Sequence, residues 1–333
     1  MSHVTSLHAL NMTSFTYHRP SSVQEAVAAL SDPGTRPIGG GTDLLPRVED
    51  GLVRLTRVVD VRDLVGASAI ELRADGSARV GAGARLADIA AHAGLRASFP
   101  VLAESAESVG TPALRHMGTL GGNLGQRMRC WYFRSGVACF KNGGDSCAAY
   151  SGEHEYHGIV PGGTCHAVHP SDPAVALEAL DARIEVARQD GTTRTLGVAE
   201  LYAGASADPL GEMTLASDEL IVAIELPAAA AGGAQHWEKI MQRGAWDFAL
   251  VSCAAARRTD GVVRMALGGV GLGPWRIAES VEEDVASGGL DEDSIDALAE
   301  RAMYDAVPLK RNGYKVDIAR AVLRRAMRAL AKP

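Results

Sequence analysis

Four of the five cysteines in this 333-residue chain follow one another within a single stretch of sequence. They are Cys130, Cys139, Cys147 and Cys165. No two of them have the tight CxxC spacing of structural zinc ribbons. Four thiolates joined by longer loops can hold a [4Fe-4S] cluster, because the ligand spacing of such clusters is more variable. The spacing therefore favours an iron–sulfur cluster, with a structural zinc ion and no metal at all as the alternatives.

Basic side chains are concentrated in the same stretch. They are Arg127, Arg129, Arg134 and Lys141. A cluster held by four thiolates is anionic, so nearby cations would offset its charge. The alternative reading of this basic stretch is an ordinary solvated face.

The fifth cysteine and the neighbouring histidines carry a weaker signal. Cys253 lies in the apolar run FALVSCAAA and is predicted to be a buried structural thiol. Four histidines lie near the other cysteines, and we expect them to be solvated or hydrogen-bonded loop residues rather than ligands. They are His154, His157, His166 and His169.

Two glycine-rich loops offer a second kind of chemistry. In IGGGTDLL, Gly39, Gly40 and Gly41 follow an apolar strand, and backbone without side chains lets N–H groups converge on an anion such as a pyrophosphate. In GTLGGNL, Thr119 and Asn123 add a hydroxyl and an amide beside further glycines. Two such loops suit a long diphosphate ligand held between subdomains, although each is also compatible with a plain turn.

Charge and hydropathy exclude several classes of protein. With 33 basic and 40 acidic residues the net charge is -7, which gives no broad positive field for nucleic acid. No run approaches the roughly 20 apolar residues of a membrane span. The N-terminus lacks a secretory pattern, and a few clustered cysteines favour thiols in a reducing compartment. We therefore expect a cytoplasmic protein, or a periplasmic one if it is exported together with a partner subunit.

Residue periodicity places these motifs on a mixture of helices and strands. VQEAVAAL predicts a short helix, and RLADIAAHAGL predicts another that ends at Gly94. In HPSDPA, Asp172 before Pro173 is typical of a helix N-cap. FALVSCAAARR and VVRMALGGVG predict two paired strands. The small-residue stretch LPAAAAGGAQ predicts a domain boundary within residues 226–235.

Taken in order, the motifs resemble those of one family. IGGGTDLL, RHMGTLGGNL, HPSDPAVALEALDA, WDFALVS and ALGGVGLGPWRI are similar to the FAD-binding medium subunit of the molybdenum hydroxylases, the xanthine dehydrogenase and carbon monoxide dehydrogenase family. The resemblance runs from about Phe15 to Leu330 and implies an α+β fold. It implies a two-subdomain FAD-binding region of the PCMH type at 12–228, with a cysteine-bearing insertion at about 125–168. A smaller α+β C-terminal domain would follow at 229–333.

The resemblance also assigns residues to the cofactor. It implies that the two glycine loops enclose the FAD pyrophosphate and that Asp172 lies near the ribityl chain and flavin. Lys239 and Arg243 would lie near the isoalloxazine ring. The implied FAD-binding residues are Gly39, Gly40, Gly41, Thr42, Asp43, Leu44, Thr119, Gly122, Asn123, Ser171, Asp172, Lys239 and Arg243.

The cysteine insertion narrows the resemblance to flavoprotein subunits that carry a [4Fe-4S] cluster, above all those of periplasmic aldehyde oxidoreductases. It implies that all four clustered cysteines bind the iron. The implied function is electron transfer from a large molybdenum-cofactor subunit and a small [2Fe-2S] subunit, within a heterotrimer, to an external electron acceptor. No catalytic residue is assigned. The alternatives are the FAD subunit of a hydroxylase acting on an aromatic heterocycle or aromatic acyl-CoA, and a stand-alone flavin oxidoreductase.

Overall fold

A small parallel sheet begins the structure, a computed structural model that describes residues 14–64, 66–204 and 211–331. Its strands are β1 (Thr16–His18), β2 (Thr35–Ile38) and β3 (Arg57–Asp60), in the order β1-β3-β2. Parallel strands need crossover connections, which helices α1 (Val23–Leu30) and α2 (Leu44–Glu49) supply. The helix predicted from VQEAVAAL is confirmed, because its apolar residues recur at helical spacing and are buried.

A five-stranded antiparallel sheet forms the centre of the next part. Its strands are β4 (Ile70–Leu72), β5 (Ala78–Gly81), β6 (Arg183–Ala187), β7 (Thr193–Gly197) and β8 (Leu220–Leu226), in the order β4-β5-β8-β6-β7. β5 pairs with β8 although more than a hundred residues separate them along the chain. The cysteine-bearing stretch is therefore inserted between strands of one sheet.

Five short helices follow β5. They are α3 (Leu86–Ala91), α4 (Ala93–Ser98), α5 (Pro100–Glu107), α6 (Pro112–Met117) and α7 (Leu120–Leu124). The prediction that Gly94 ends the first of these helices was wrong. The chain instead breaks at His92, whose ring nitrogen accepts a hydrogen bond from the Leu95 amide and caps α4, so Gly94 lies inside the second helix.

The cysteine-bearing stretch has little regular structure. It contains α8 (Trp131–Arg134), a 3-10 turn at Phe140–Asn142 and α9 (Ala148–Ser151). The apolar cluster beneath it is small and is built around Met128 and Phe133. Because so little apolar surface is buried there, hydrophobic packing alone provides weak support for this stretch.

Helix α10 (Asp172–Ala179) is buried along its whole length and packs against α5 and the C-terminal sheet. The prediction that Asp172 is its N-cap was wrong by one residue. The Ser171 hydroxyl accepts the capping hydrogen bond from the Ala174 amide at 3.1 Å, and Asp172 is the first helical residue. Proline then occupies the second position, where the missing N–H costs no helical hydrogen bond. A further helix, α11 (Val198–Tyr202), follows β7.

The chain next passes through a 3-10 turn at Ala228–Ala230 into a second antiparallel sheet. Its strands are β9 (Gln235–Ile240), β10 (Val251–Arg257), β11 (Val263–Gly268) and β12 (Trp275–Arg276), in the order β12-β11-β10-β9. The predicted strand pair is confirmed, since β10 and β11 are antiparallel neighbours along their lengths. Ala254 and Ala256 face the central core, whereas Cys253 and Ala255 face the C-terminal core. This alternation of faces is the period of an extended strand.

Three helices cover the outer face of this sheet. They are α12 (Glu279–Ser287), α13 (Glu292–Ala302) and α14 (Tyr314–Leu330). The prediction that Cys253 is a buried thiol is confirmed, and burial raises the pKa of its thiol. In the described part of the chain no helix has the length and apolar character needed to cross a membrane. The mixture of separate helices and largely antiparallel sheets confirms the expected α+β fold.

Candidate functional site

A cavity of about 1060 Å³, here the large cavity, lies between the two glycine loops, the start of α10 and the segment after β9. This volume is at the upper end of the usual range for small-molecule sites and suits an elongated ligand. The predicted residues that line it are Gly39, Gly40, Gly41, Thr42, Asp43, Leu44, Thr119, Gly122, Asn123, Asp172, Lys239 and Arg243.

The first glycine loop presents unpaired backbone donors to the large cavity. The N–H groups of residues 39–43 donate to no acceptor within the described ranges. Gly41 has φ of +72°, a left-handed conformation that a β-carbon would strain. Successive amides in such a turn form a concave nest that binds anions. This loop therefore fits a pyrophosphate.

The second glycine loop contributes differently, because its amides are already bonded within the protein. Gly121 donates to the Ala82 carbonyl at 2.7 Å, and Gly122 donates to the Thr119 hydroxyl at 3.2 Å. What remains for a ligand is the Thr119 hydroxyl hydrogen and the Asn123 side-chain NH₂ group, together with close backbone approach. The first loop can therefore supply most of the hydrogen-bond donors to an anion, and the second loop can cover that anion from the other side.

The two loops also contact each other directly. A β-carbon at Gly40 would lie 1.9 Å from the Met117 carbonyl oxygen, and one at Gly39 would lie 2.5 Å from the Thr119 hydroxyl. A β-carbon at Gly122 would meet only the Thr119 hydroxyl, at 2.9 Å. Gly40 is therefore required for the approach of one loop to the other, and Gly122 is less constrained.

A buried ion pair faces the large cavity from the α10 side. Lys239 Nζ lies 2.7 Å from Asp172 Oδ2, and the two side chains are 4% and 6% exposed. Lys239 also donates to the Ser108 carbonyl at 3.1 Å. Burial raises the pKa of Asp172, and the ammonium of Lys239 opposes that shift. The pair gives the cavity wall a dipole whose carboxylate lies at the positive end of α10.

Ser171 lies behind this wall rather than on it. Its hydroxyl donates to Asn123 Oδ1 at 2.6 Å while it caps α10. Ser171 is not one of the described residues that line the large cavity. Its position orients the Asn123 amide so that the NH₂ group is left for the cavity.

Residues that the sequence analysis did not select also line the cavity. Trp246 and Phe248 are half exposed at its edge, with the guanidinium groups of Arg243 and Arg129 over their rings at 5.3 and 5.5 Å. Two aromatic residues just after Arg243 were the available sequence signal. Glu212 is buried and accepts from Arg127 Nε at 2.7 Å. Nothing in the sequence indicated Glu212, because its partner is 85 positions away.

Asp43 links the first glycine loop to the cysteine-bearing stretch. Its carboxylate lies 2.8 Å from Arg134 and 3.1 Å from Arg129, and it accepts from the Arg127 amide at 3.1 Å. Arg47 pairs with it at 3.4 Å. Burial alone would raise the pKa of Asp43, but Arg129 and Arg134 outweigh that effect and lower it. Asp43 and the three arginines paired with it, Arg47, Arg129 and Arg134, therefore form one charged cluster at the end of the first glycine loop, here the Asp43 hub.

The four clustered cysteines surround one small pocket, here the cysteine pocket, which also includes Met128 and Phe133. No group of three or more histidine, cysteine or acidic side chains among residues 14–64, 66–204 and 211–331 is arranged to hold a single metal ion. Burial raises the pKa of Cys130, and it raises that of Cys165 to about 11. Binding of a metal by these side chains would require loss of the thiol protons.

One short segment of chain separates the large cavity from the cysteine pocket. Gln126, Arg127 and Arg129 line the large cavity, whereas Met128 and Cys130 line the cysteine pocket. From Arg127 to Cys130 the residues that line the two cavities therefore alternate along the chain. The large cavity and the cysteine pocket therefore share a wall one segment thick.

The family whose members are described as the FAD binding domain in molybdopterin dehydrogenase matches residues 13–229. Together with the fold and the large cavity, this match shows that the chain belongs to the FAD-binding medium subunits of the molybdenum hydroxylase family, which are oxidoreductase subunits. The sequence-based prediction of this family is confirmed.

Particular relatives span nearly the whole chain. The aldehyde oxidoreductase FAD-binding subunit PaoB of Escherichia coli K12 is 37% identical, over 94% of this chain and 96% of its own length. The carbon monoxide dehydrogenase medium chain of Afipia carboxidovorans is 26% identical, over 94% and 96%. Among solved structures, carbon monoxide dehydrogenase from Hydrogenophaga pseudoflava is similar with a TM-score of 0.73 and 25% identity, over 95% of this chain and 96% of that chain.

The loop contacts predict a ranking of glycine variants. Gly40→Ala should lower FAD affinity at least about tenfold, because its β-carbon forces the loops apart and disturbs the nest of amides. Gly122→Ala should have a smaller effect, and Gly313→Ala, with nothing within 4 Å of the added carbon, should have none. Flavin fluorescence titration of the three variants measures this. Full affinity in Gly40→Ala would contradict the loop assignment.

The Asp43 hub predicts a stability effect. Asp43→Asn should lower the free energy of unfolding by about 3 kcal/mol at pH 7, because it leaves partly buried arginines without a counter-charge. The control Asp32→Asn breaks an exposed pair with Arg57 and should cost under about 1 kcal/mol. Urea unfolding of the FAD-free protein gives both values.

The same hub predicts how this effect depends on pH. The folded-state pKa of Asp43 is lowered, so its contribution to stability is present above the unfolded pKa, near 3.9, and is lost as pH falls below it. The stability difference between the parent and Asp43→Asn should therefore shrink in acid. A difference that stays constant from pH 7 to acid would show that Asp43 does not act through its charge.

Proposed function

We propose that this chain is the FAD- and [4Fe-4S]-carrying electron-transfer subunit of a molybdenum-dependent aldehyde oxidoreductase. The observation that carries the proposal is the shared wall, which places a dinucleotide-sized cavity directly against a pocket lined by four cysteines. The aldehyde class rests on the 37% identity to a subunit named for aldehyde oxidoreductase. Side-by-side redox sites fit a protein that passes electrons onward.

In this proposal FAD occupies the large cavity, where its flavin ring supplies the capacity to take up and release one or two electrons. The unpaired amides of residues 39–43 bind the pyrophosphate, and Thr119 and Asn123 close over it. Asp172 and Lys239 orient the ribityl and flavin end through their fixed dipole. Arg243 and the aromatic rings beside it shield that end from water.

The donor set of the cysteine pocket supports this proposal. Cys130, Cys139, Cys147 and Cys165 all line that one pocket. Four cysteine thiolates would hold a [4Fe-4S] cluster there, and the cluster would supply one-electron transfer.

The basic residues of the wall match this assignment. Arg127, Arg129 and Arg134 lie between the two sites and are held by Glu212 and Asp43. Positive charge within the wall would stabilise an anionic cluster and the FAD diphosphate at the same time. The wall thus contributes electrostatics and separation, with no bond made or broken in this chain.

The proposed complex has two further subunits. A large subunit would carry the molybdenum cofactor, a small one would carry [2Fe-2S] clusters, and an external acceptor would receive the electrons. The proposed division of the chain is a FAD-binding region at 12–228 and a C-terminal domain at 229–333. Its support is that the chain leaves the five-stranded sheet at Leu226 and enters the four-stranded sheet at Gln235.

The cysteine assignment predicts a pattern of iron content. Serine replacement of Cys130, Cys139, Cys147 or Cys165 should abolish or destabilise iron binding, because each change removes a soft ligand. Cys253→Ser is the control and should retain about four iron and four acid-labile sulfide per chain. Protein purified without oxygen is assayed for both. Zinc in the parent, or iron that survives the loss of any two of the four cysteines, would refute the cluster.

The subunit assignment predicts what the isolated chain does. Expressed without partner subunits, it should bind FAD but show no aldehyde oxidation with an artificial acceptor, because the oxidising centre belongs to the large subunit. The reconstituted complex serves as the positive control. Molybdenum-free turnover by the isolated chain would favour a stand-alone flavin oxidoreductase instead.

A further inference from the structure

His157 lies against the cysteine pocket and contacts one of its sulfur atoms. Its Nε2 atom is 3.3 Å from Cys130 Sγ, within hydrogen-bonding range for sulfur. His157 is 3% exposed, and its ring reaches the pocket from a position 27 residues further along the chain than Cys130. It is therefore positioned to act on the sulfur without being one of the four thiolates.

The backbone of His157 is fixed from the C-terminal part of the chain. Lys315 Nζ donates to the His157 carbonyl at 2.9 Å, and Asn312 Nδ2 donates to it at 3.2 Å. Lys315 and Asn312 are themselves fully buried. The Trp131 ring meets the imidazole edge-on, with centroids 5.3 Å apart. These contacts fix the backbone of His157 and pack one side of its ring beside the sulfur.

A hydrogen bond from His157 to sulfur sets a condition on the imidazole proton. A neutral imidazole has one N–H, on either Nδ1 or Nε2. A metal-bound thiolate offers only lone pairs, so a hydrogen bond to Cys130 requires the proton on Nε2. Nδ1 is buried and makes no hydrogen bond of standard geometry within the described residues. The ring can therefore serve as a donor to sulfur.

Resting on the proposed cluster, we infer that His157 is a positioning residue which donates its Nε2–H to the Cys130 sulfur and raises the reduction potential of the four-cysteine site. Reduction adds one electron and neither makes nor breaks a bond, and the added negative charge falls partly on the sulfur ligands. A fixed N–H dipole stabilises the more negative state more strongly, and hydrogen bonds to sulfur are among the factors that set these potentials.

The first test compares midpoint potentials in the full chain purified without oxygen. His157→Phe keeps a buried ring but removes the donor, and the potential should fall by about 59 mV or more, which is a tenfold change in a one-electron equilibrium. His157→Gln keeps an N–H donor and should restore most of the difference. EPR-monitored titration with dithionite measures the potentials. An unchanged potential in His157→Phe would overturn the inference.

A neighbouring histidine provides the matched control. His166 follows Cys165 directly, and its ring stacks on the exposed Tyr150 ring with centroids 5.7 Å apart. His166→Phe should leave the potential and the iron content at the parent's values. An equal shift in both phenylalanine variants would show a general packing effect and would also overturn the inference.

A second measurement needs no variant. With ¹⁵N-labelled histidine in the parent, pulsed EPR of the reduced protein should detect hyperfine coupling to one histidine nitrogen across the hydrogen bond. If His157→Phe fails to hold the cluster, this coupling decides: its presence supports the inference and its absence refutes it. A parent without iron or sulfide would refute the proposed cluster itself, whereas a parent with both and no coupling refutes only the role of His157.

Discussion

The carboxylate of Asp43 joins the parts of the candidate site. Asp43 lies at the end of the first glycine loop. Its carboxylate forms ion pairs with three arginines and accepts a hydrogen bond from a backbone amide, and most of these partners lie in the cysteine-bearing stretch. A partly buried carboxylate with so many donors stays ionised, and the arginines in turn depend on it for charge balance. The Asp43 carboxylate therefore positions both the amides of the first glycine loop and the segment that separates the large cavity from the cysteine pocket.

The cysteine-bearing stretch is held from two sides. Asp43 and Glu212 bind its arginines on the side of the large cavity. On the opposite side Lys315 and Asn312 bind the carbonyl of His157. Polar contacts of this kind compensate for the small apolar cluster beneath the stretch. An insertion with little core of its own thus becomes a defined wall between two sites, because both neighbouring parts of the chain contact it.

Local sequence patterns correctly predicted the features that depend on short stretches of neighbouring sequence. The helix of VQEAVAAL, the pairing of β10 with β11 and the burial of Cys253 follow from periodicity and apolar runs. Gly94 and Asp172 were misassigned for a related reason. A histidine ring nitrogen at His92 and a serine hydroxyl at Ser171 took the capping roles, and competition between adjacent capping groups depends on backbone angles that a sequence does not display.

The sequence by itself determined the residue types at the site: glycines that permit close backbone approach, four clustered cysteines and a run of arginines among them. It also determined the family, through motifs in a fixed order. Only the tertiary structure decided which donors are free and which are used. The amides of residues 39–43 have no hydrogen-bond acceptor within the described residues, whereas those at the start of α7 are bonded within the protein. The fold also brings Glu212 into hydrogen-bonding distance of Arg127, and His157 into hydrogen-bonding distance of Cys130. Those pairings join positions 85 and 27 residues apart, and such contacts form only when the sheets and the inserted stretch pack together.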